Sequence, residues 1–182
     1  MNVAHFFTTI LFFWQIVACS NFIDSKEVEL KFRTKYADSE NPRYELIFYV
    51  NDKKIARRVY EKGRTILSEG EIPDGRVVER YDSGKIRNVF TYKNGKRNGK
   101  AFGFYESGKL KKEGTYLDDN PIGITRMYYE NGNLMVESKI VDGKNIYYRD
   151  YHENGQLRQE IYYKGDEIIR KTYDIHGQII EE

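Results

Sequence analysis

Three histidines and a single cysteine are the residues of this chain whose chemistry could be catalytic or metal-binding. His152 and His176 stand beside turn glycines, where an imidazole is usually solvated, and His5 lies in the apolar start of the chain. The sequence contains no G-x-S-x-G, H-E-x-x-H or Walker-type loop. Its 28 acidic residues are spread along the chain, so no two stand out as the acid pair that glycoside cleavage requires. We therefore expect no catalytic residues, no metal site and no cofactor.

Cys19, the only cysteine, ends an apolar N-terminal segment. Residues 1–19 contain no Lys, Arg, Asp or Glu, and the apolar run from Phe6 to Ala18 is thirteen residues long. At about 1.5 Å per residue, such a run cannot cross a hydrocarbon core of about 30 Å. The segment therefore predicts a signal peptide rather than a membrane-spanning helix.

The end of this segment, IVAC at residues 16–19, resembles a bacterial lipobox, in which small residues precede the cysteine that becomes lipidated. The resemblance implies that Cys19 carries acyl chains, which would anchor an exported protein at the cell envelope. Ser20 follows the cysteine, which resembles the outer-membrane class of Gram-negative lipoproteins. The alternative is a signal peptide with an incidental thiol.

A short sequence motif recurs along the C-terminal half of the chain. Its clearest copy is MYYENGNL (Met127 to Leu134), and the near-copies read RYDSGKI, FYESGKL, YHENGQL and YDIHGQI. The turn glycines of the five copies follow one another at steps of 24, 24, 23 and 22 residues, which indicates a repeat architecture; they are Gly84, Gly108, Gly132, Gly155 and Gly177. Further turn signals such as Asn94-Gly95 lie between them.

The spacing of the turns fits strands of about five or six residues joined by tight hairpins. Each turn should reverse the chain, so we expect an all-β fold: an elongated antiparallel β-meander of tandem hairpin repeats of 22–24 residues. The expected organisation is a signal peptide (1–19), a short tether (20–27), N-terminal strands with a degenerate repeat (28–76) and tandem repeats (77–182). Near Pro73 the alternation of turns is disturbed, and Gly75 marks either an extra turn or a register slip.

Side chains alternate between the turns, which predicts one apolar and one charged face. The apolar face is expected to carry Ile86, Phe90, Tyr92, Leu110, Tyr116, Leu134, Val136, Ile140, Leu157, Ile161 and Tyr163. The charged face is expected to carry Arg87, Lys111, Glu113, Glu137, Lys139, Arg158 and Glu160. Burial of an apolar side chain contributes about 1.5–3 kcal/mol and a favourable cross-strand pair about 0.2–1 kcal/mol, so apolar packing should dominate stability.

The phrase aromatic-Tyr-x-x-Gly-x-Leu, combined with a second turn as in YKNGKRNG (Tyr92 to Gly99), resembles the bacterial MORN-repeat variant family, often labelled YwqK-type antitoxins. The resemblance implies an elongated sheet of hairpins that binds or scaffolds, and the antitoxin label implies neutralisation of a partner protein by contact. Two features depart from the pattern. Asp119 replaces the second turn glycine in one copy, and Tyr151 and Tyr173 stand four residues, rather than three, before their glycines.

Two groups of residues are candidates for binding. The first is a series of tyrosines near the turns, which could pack the repeats together or form a protein-binding face: Tyr81, Tyr105, Tyr129, Tyr151 and Tyr173. The second is a basic patch formed by Lys93, Lys96, Arg97 and Lys100. It could bind phosphates or an anionic lipid head group, or it could simply keep an exposed turn soluble.

The charge balance does not favour a polyanionic partner. The 30 basic and 28 acidic residues are interspersed and give a net charge of +2, so no nucleic acid is expected to bind. We expect a non-enzymatic, envelope-anchored interaction module that binds a protein partner in the manner of an antitoxin or immunity protein. The alternative is a structural envelope component that binds peptidoglycan or anionic lipid. An enzyme would need a pocket, which an open sheet rarely offers.

Overall fold

The computed structural model describes residues 27–36, 43–62 and 64–181. The predicted signal peptide, Cys19 and residues 20–26 of the predicted tether lie outside these ranges. Within the described ranges every regular element is a β-strand, and none is a helix that could cross a membrane. The strands are β1 (Val28–Tyr36), β2 (Arg43–Val50), β3 (Lys53–Glu61), β4 (Arg64–Gly70), β5 (Gly75–Arg80), β6 (Ile86–Lys93), β7 (Lys96–Phe104), β8 (Leu110–Leu117), β9 (Asn120–Tyr128), β10 (Leu134–Val141), β11 (Lys144–Tyr151), β12 (Leu157–Lys164), β13 (Glu167–Tyr173) and β14 (Ile179–Glu181).

These strands form one open sheet in the order β14-β13-β12-β11-β10-β9-β8-β7-β6-β5-β1-β2-β3-β4. The first four strands form a meander, and from β5 to β14 each strand runs antiparallel to the one before it. The predicted all-β array of tandem hairpins is therefore confirmed.

One connection departs from the meander. The chain leaves the edge strand β4 at Gly70, crosses over in residues 71–74 and enters β5, which pairs in parallel with β1 so that Val28 lies opposite Val77. The expectation that every connection gives antiparallel neighbours is wrong here. Gly75 marks neither an extra turn nor a register slip, because it is the first residue of β5. Only glycine fits at Gly70, where φ is +66° and a Cβ would lie 2.0 Å from the Ile55 carbonyl oxygen.

The hydrophobic core lies where the N-terminal strands curl. Phe48 of β2 and Tyr92 of β6 meet edge to face, with ring centroids 5.6 Å apart and an interplanar angle of 77°. Three strand spacings separate these strands, about 14 Å in a flat sheet, so the sheet must curl strongly at this point. Ile72 of the crossover joins the same cluster. The buried members of the cluster are Val28, Leu30, Phe48, Ala56, Ile72, Val77 and Tyr92.

The sheet beyond β7 is a single layer. Most apolar side chains of β8–β13 are half-buried, and extensive contacts among the described strands occur only between sheet neighbours. Within the described residues, no second layer covers this part of the sheet, so both of its faces are accessible to other molecules.

Two-residue turns connect the strands along one long edge of the sheet. In Asn94-Gly95, Asp118-Asp119 and Asp142-Gly143 both residues have positive φ, as a type I′ hairpin requires. Asp119, which departs from the family pattern, has a φ of 69° and so adopts the conformation that glycine takes in the other copies.

Three-residue turns connect the strands along the other edge, and each shifts the register of its hairpin by one residue. At the first of them the Gly84 N–H donates to the Tyr81 carbonyl oxygen over 2.9 Å, with Gly84 at φ +83°. In the strand that follows, Arg87 is an extra residue, because Glu79 pairs with Asn88 while Arg80 pairs with Ile86. Such a β-bulge recurs after the other three-residue turns.

The bulges make part of the predicted division into faces wrong, since one extra residue moves neighbouring side chains to the opposite side. We call the side that carries Phe90, Val136, Ile140, Ile161 and Tyr163 the apolar face. The pairing places the basic residues Arg87, Lys111 and Arg158 on this face, and it places Ile86, Leu110, Leu134 and Leu157 on the opposite face. Accordingly, the Arg158 Nε donates to Asp150 Oδ1 over 2.6 Å, and Asp150 lies directly opposite Val136.

Removal of the Phe48 ring should destabilise the protein strongly. Phe48 is fully buried, so Phe48→Ala should leave a cavity and lower the free energy of unfolding by about 3–5 kcal/mol. Leu117→Ala is the control, because Leu117 is 50% exposed and its truncation should change this free energy by less than about 0.5 kcal/mol. Urea unfolding followed by circular dichroism measures both variants. Equal midpoints for the two would contradict a core built around β2.

Candidate binding surfaces of the repeat sheet

Three of the five candidate tyrosines join consecutive repeats. The hydroxyl of Tyr81 donates to the Phe104 carbonyl oxygen over 2.7 Å, and that of Tyr105 donates to the Tyr128 carbonyl oxygen over 2.7 Å. Tyr129 repeats the contact one step further, with a distance of 2.8 Å to the Tyr151 carbonyl oxygen. Each phenol therefore ties a three-residue turn to the strand end of the next repeat.

The other two candidate tyrosines do not continue this series. Tyr151 and Tyr173 are the last residues of their strands, where alternation along the strand places them on the face opposite Tyr129. The position that follows each of them, which holds tyrosine in the earlier copies, is taken by His152 and Asp174. The five residues singled out in the sequence are thus divided between the two faces and do not form one surface.

The apolar face between β9 and β13 offers half-buried apolar and aromatic side chains. Val136 lies opposite Met127, and Tyr148 lies opposite Ile161. Burial and the nearby Asp150 carboxylate raise the pKa of the Tyr148 phenol.

The opposite face carries a row of charged residues that lie directly across from one another on successive strands. We call this row the charge ladder; its members are Glu113, Arg126, Glu137, Arg149, Glu160 and Lys171. Their charges alternate in sign from strand to strand, which is the favourable arrangement for cross-strand pairs. We call the side of the sheet that carries it the ladder face.

Short contacts connect the charge ladder internally. The Arg126 Nε donates to Glu137 Oε2 over 2.8 Å, and the Arg126 Nη1 lies 3.6 Å from Glu113 Oε1. The Arg149 Nε lies 3.4 Å from Glu160 Oε2. Ion pairs at a protein surface contribute about 0–1 kcal/mol each, and these pairs are only partly exposed, so the ladder does more to orient its members than to stabilise the sheet.

Tyrosine hydroxyls also donate to the ladder carboxylates. Tyr128 donates to Glu113 Oε1, Tyr147 to Glu137 Oε1 and Tyr173 to Glu160 Oε1, each over 2.8 Å. Burial and then the bond to Glu113 raise the pKa of Tyr128 from 10.0 to about 12. The pKa of Tyr173 is raised mainly by its bond to Glu160.

The structure separates the members of the predicted basic patch. Lys93 and Lys96 lie opposite each other beside the Asn94-Gly95 turn, and both are exposed, as is Lys100. Within the described ranges no carboxylate lies within ion-pair distance of these three lysines. Arg97 faces the other side, where it donates to Asp119 Oδ1 over 3.0 Å and its guanidinium lies 4.3 Å from the centre of the Tyr116 ring.

Two pairs of oppositely charged side chains lie beneath the first three-residue turn. A cavity of about 460 Å³ lies there, and its lining includes Glu29, Lys31, Glu79 and Arg87. The Lys31 Nζ lies 4.0 Å from Glu29 Oε2, and the Arg87 Nη1 lies 3.6 Å from Glu79 Oε1. No cluster of His, Cys, Asp and Glu among the described residues has the geometry of a metal site.

The fold and these repeated contacts define a class of protein, the open single-layer sheets built from tandem β-hairpins. Four segments of the chain match the MORN repeat variant family: residues 73–94, 97–118, 121–141 and 144–164. The chain is therefore a MORN-repeat protein. No curated protein matches it significantly.

Sequence reasoning placed Glu113, Glu137 and Glu160 on the charged face but missed the residues that complete the ladder. Arg126 and Arg149 were absent from that prediction. The six ladder residues recur at intervals of 13, 11, 12, 11 and 11 residues with alternating sign, and this spacing was the available signal. It matches the distance from one turn to the next.

Ionisation of Tyr128 should weaken the fold at high pH. In the unfolded chain this phenol ionises near pH 10.0, whereas in the folded sheet it ionises near pH 12. Its contribution is complete below about pH 10 and is lost as the pH rises towards about 12, because only the unfolded state releases the proton in that range. Unfolding free energies measured over this range should fall less for Tyr128→Phe than for the unmodified protein.

Ultraviolet titration supplies the control for this prediction. The difference in phenolate absorbance between the unmodified protein and Tyr128→Phe should titrate near pH 12 in buffer and near pH 10 in concentrated urea. A difference that titrates near pH 10 under both conditions would contradict the Tyr128–Glu113 contact.

Proposed function

We propose that this protein is a non-enzymatic interaction module, held at the cell envelope through lipidated Cys19, that binds a protein partner on the apolar face of its repeat sheet. The observation that carries the proposal is a group of apolar and aromatic side chains on that face, all half-buried except Ile161, which is buried. Its members between β9 and β12 are Met127, Val136, Ile140, Tyr148, Ile161 and Tyr163. Protein interfaces are enriched in Tyr, Met and other large side chains of this kind.

The rigidity of the face supports binding. Each of these side chains projects from a strand that is hydrogen-bonded on both sides, and the turns at the edge are tied to one another by the hydroxyls of Tyr81, Tyr105 and Tyr129. A preorganised surface loses little conformational entropy on association, so more of the contact energy appears as affinity.

The apolar N-terminal segment that ends at Cys19 supports the location. Acyl chains on this cysteine would hold the sheet beside a membrane without a spanning helix. A partner that enters the envelope or resides there would meet the sheet in this position. The family resemblance implies an antitoxin-like or immunity-like role, in which the sheet neutralises a toxin by contact. A surface that binds without catalysis fits this role.

Photo-cross-linking tests the proposal with an internal control. A photoreactive amino acid at position 148 or 163 lies on the apolar face, whereas the same residue at position 147 or 162 lies on the ladder face of the same two strands. In cells that express the full chain, cross-links from 148 and 163 should yield one defined protein, and the yield from 147 and 162 should be far lower. Equal labelling from both faces, or no defined product, would overturn the proposal.

Substitutions on the same strands provide a second measurement. Tyr148→Ala with Tyr163→Ala should reduce affinity for the cross-linked partner at least tenfold, because aromatic side chains commonly contribute more than about 1 kcal/mol at an interface. Tyr147→Ala with Tyr162→Ala should leave that affinity within about threefold of the unmodified protein. Circular dichroism melting of both variants controls for loss of folding.

A second candidate function rests on the free lysines of β6 and β7. Lys93, Lys96 and Lys100 are exposed and have no carboxylate at ion-pair distance in the described ranges, which suits contact with an anionic lipid or envelope polymer. Co-sedimentation of the protein with phosphatidylglycerol vesicles, lost when the three lysines are changed to glutamate, would support this function. Sedimentation that does not change with these substitutions would exclude it.

A further inference from the structure

We propose that the ladder face is a binding site for a linear, uncharged polysaccharide that lies across the strands along the charge ladder. The proposal is independent of the protein partner proposed above, because it uses the opposite side of the sheet. It rests on three observations. Three parallel rows of side chains lie on this face, the charges of the central row balance, and contacts between the rows hold the side chains in place.

The central row is the charge ladder, which runs across six strands from Glu113 of β8 to Lys171 of β13. At about 4.8 Å per strand, the row is about 24 Å long. Both oxygens of the Glu137 carboxylate accept a bond within the sheet, and each keeps a second lone pair that can accept a bond from a sugar hydroxyl. The row therefore offers a linear track of hydrogen-bonding groups rather than a single pocket.

Aromatic rings flank the charge ladder on both sides. On the side of the three-residue turns, Tyr128, Tyr151 and Tyr173 occupy equivalent positions on every second strand. On the other side, Tyr147 and Tyr162 lie opposite each other on adjacent strands, with ring centroids 6.4 Å apart. Rings of this kind pack against the apolar C–H faces of pyranoses while the polar row between them meets the hydroxyl groups.

The repeat distance also suits a regular polymer. Rings on every second strand lie about 9.6 Å apart along the ladder, because neighbouring strands are about 4.8 Å apart. Two sugars of an extended β-1,4-linked chain cover a similar distance, so each hairpin would meet the same part of the polymer. A folded protein partner has no such one-dimensional periodicity.

The charge balance selects an uncharged polymer. The charge ladder contains three carboxylates and three cations in strict alternation, so its net charge is zero. A polyanion such as a nucleic acid would gain from each cation and lose to each neighbouring carboxylate. A neutral polyhydroxylated chain hydrogen-bonds to both kinds of group without that loss.

The site is also preorganised. The Glu137 carboxylate accepts hydrogen bonds from both Arg126 and Tyr147, and the Arg149 guanidinium lies 5.0 Å from the centre of the Tyr147 ring and 5.6 Å from that of Tyr162. Only 14% of the Glu137 side chain and 15% of the Glu160 side chain are exposed, so both carboxylates have few rotamers left to lose. Fixation of this kind lowers the entropic cost of ligand binding.

Titration calorimetry with chitohexaose and cellohexaose tests the proposal on the full chain, kept in solution with a detergent that lacks a sugar head group. At least one of these hexasaccharides should bind, and the corresponding disaccharide should bind at least tenfold more weakly because it spans only one hairpin. Absence of binding by both hexasaccharides would overturn the proposal. Affinities that do not depend on chain length would overturn it as well.

Variants on adjacent positions locate the site. Tyr147→Ala with Tyr162→Ala should weaken hexasaccharide binding at least tenfold, whereas Tyr148→Ala with Tyr163→Ala should change it less than threefold. If the first pair impairs folding, the single substitutions Tyr147→Ala and Tyr162→Ala, checked by circular dichroism, should each weaken binding at least threefold. Equal losses from the two faces would overturn the assignment.

Substitution of phenylalanine for tyrosine separates ring packing from hydrogen bonding. Tyr147→Phe with Tyr162→Phe keeps both rings and removes both hydroxyls, so hexasaccharide affinity should stay within about fivefold of the unmodified protein. A loss as large as that of the alanine pair would contradict packing of the sugars against the rings. Because the protein-partner experiment reports on positions 148 and 163, failure of either proposal leaves the other one testable.

Discussion

The cross-strand register set by the three-residue turns is the constraint on which the rest of this structure depends. At each of these turns a glycine such as Gly84 takes a positive φ, and the strand that follows gains one extra residue. That residue decides which side of the sheet every later side chain in the strand occupies. The apolar face and the ladder face exist as separate surfaces because the same shift recurs in every repeat.

Two kinds of repeated contact extend this local geometry along the sheet. The hydroxyls of Tyr81, Tyr105 and Tyr129 bond the backbone of the next repeat, and the charge ladder links neighbouring strands through their side chains. Each contact is weak by itself, of the order of 1 kcal/mol for a hydrogen bond. Repetition makes them effective, because stability in a repeat array is approximately the sum of terms between nearest neighbours.

Apolar burial is unevenly distributed in the chain. The part that contributes most to stability is therefore different from the part that has open faces. The curled N-terminal strands enclose Phe48 and its neighbours, whereas β8–β13 form a single layer whose apolar side chains are only half-buried. The N-terminal core thus supplies a stable end of the sheet, from which the hairpins extend side by side. The single layer keeps two chemically different faces available, one on which we propose a protein partner and the other on which we propose a neutral polymer.

The sequence by itself determined the strand count of each repeat, the positions of the hairpin turns from Gly84 onward and the family, because hairpin turns depend on a few adjacent residues such as Asn94-Gly95. It also placed three carboxylates of the charge ladder on one face. Only the tertiary structure decided the parallel pairing of β1 with β5, the division of the tyrosines between two faces and the partners of Arg126 and Arg149. These features depend on which strands become neighbours and on single-residue bulges in their register, and neither is encoded in the alternation of side chains along one strand.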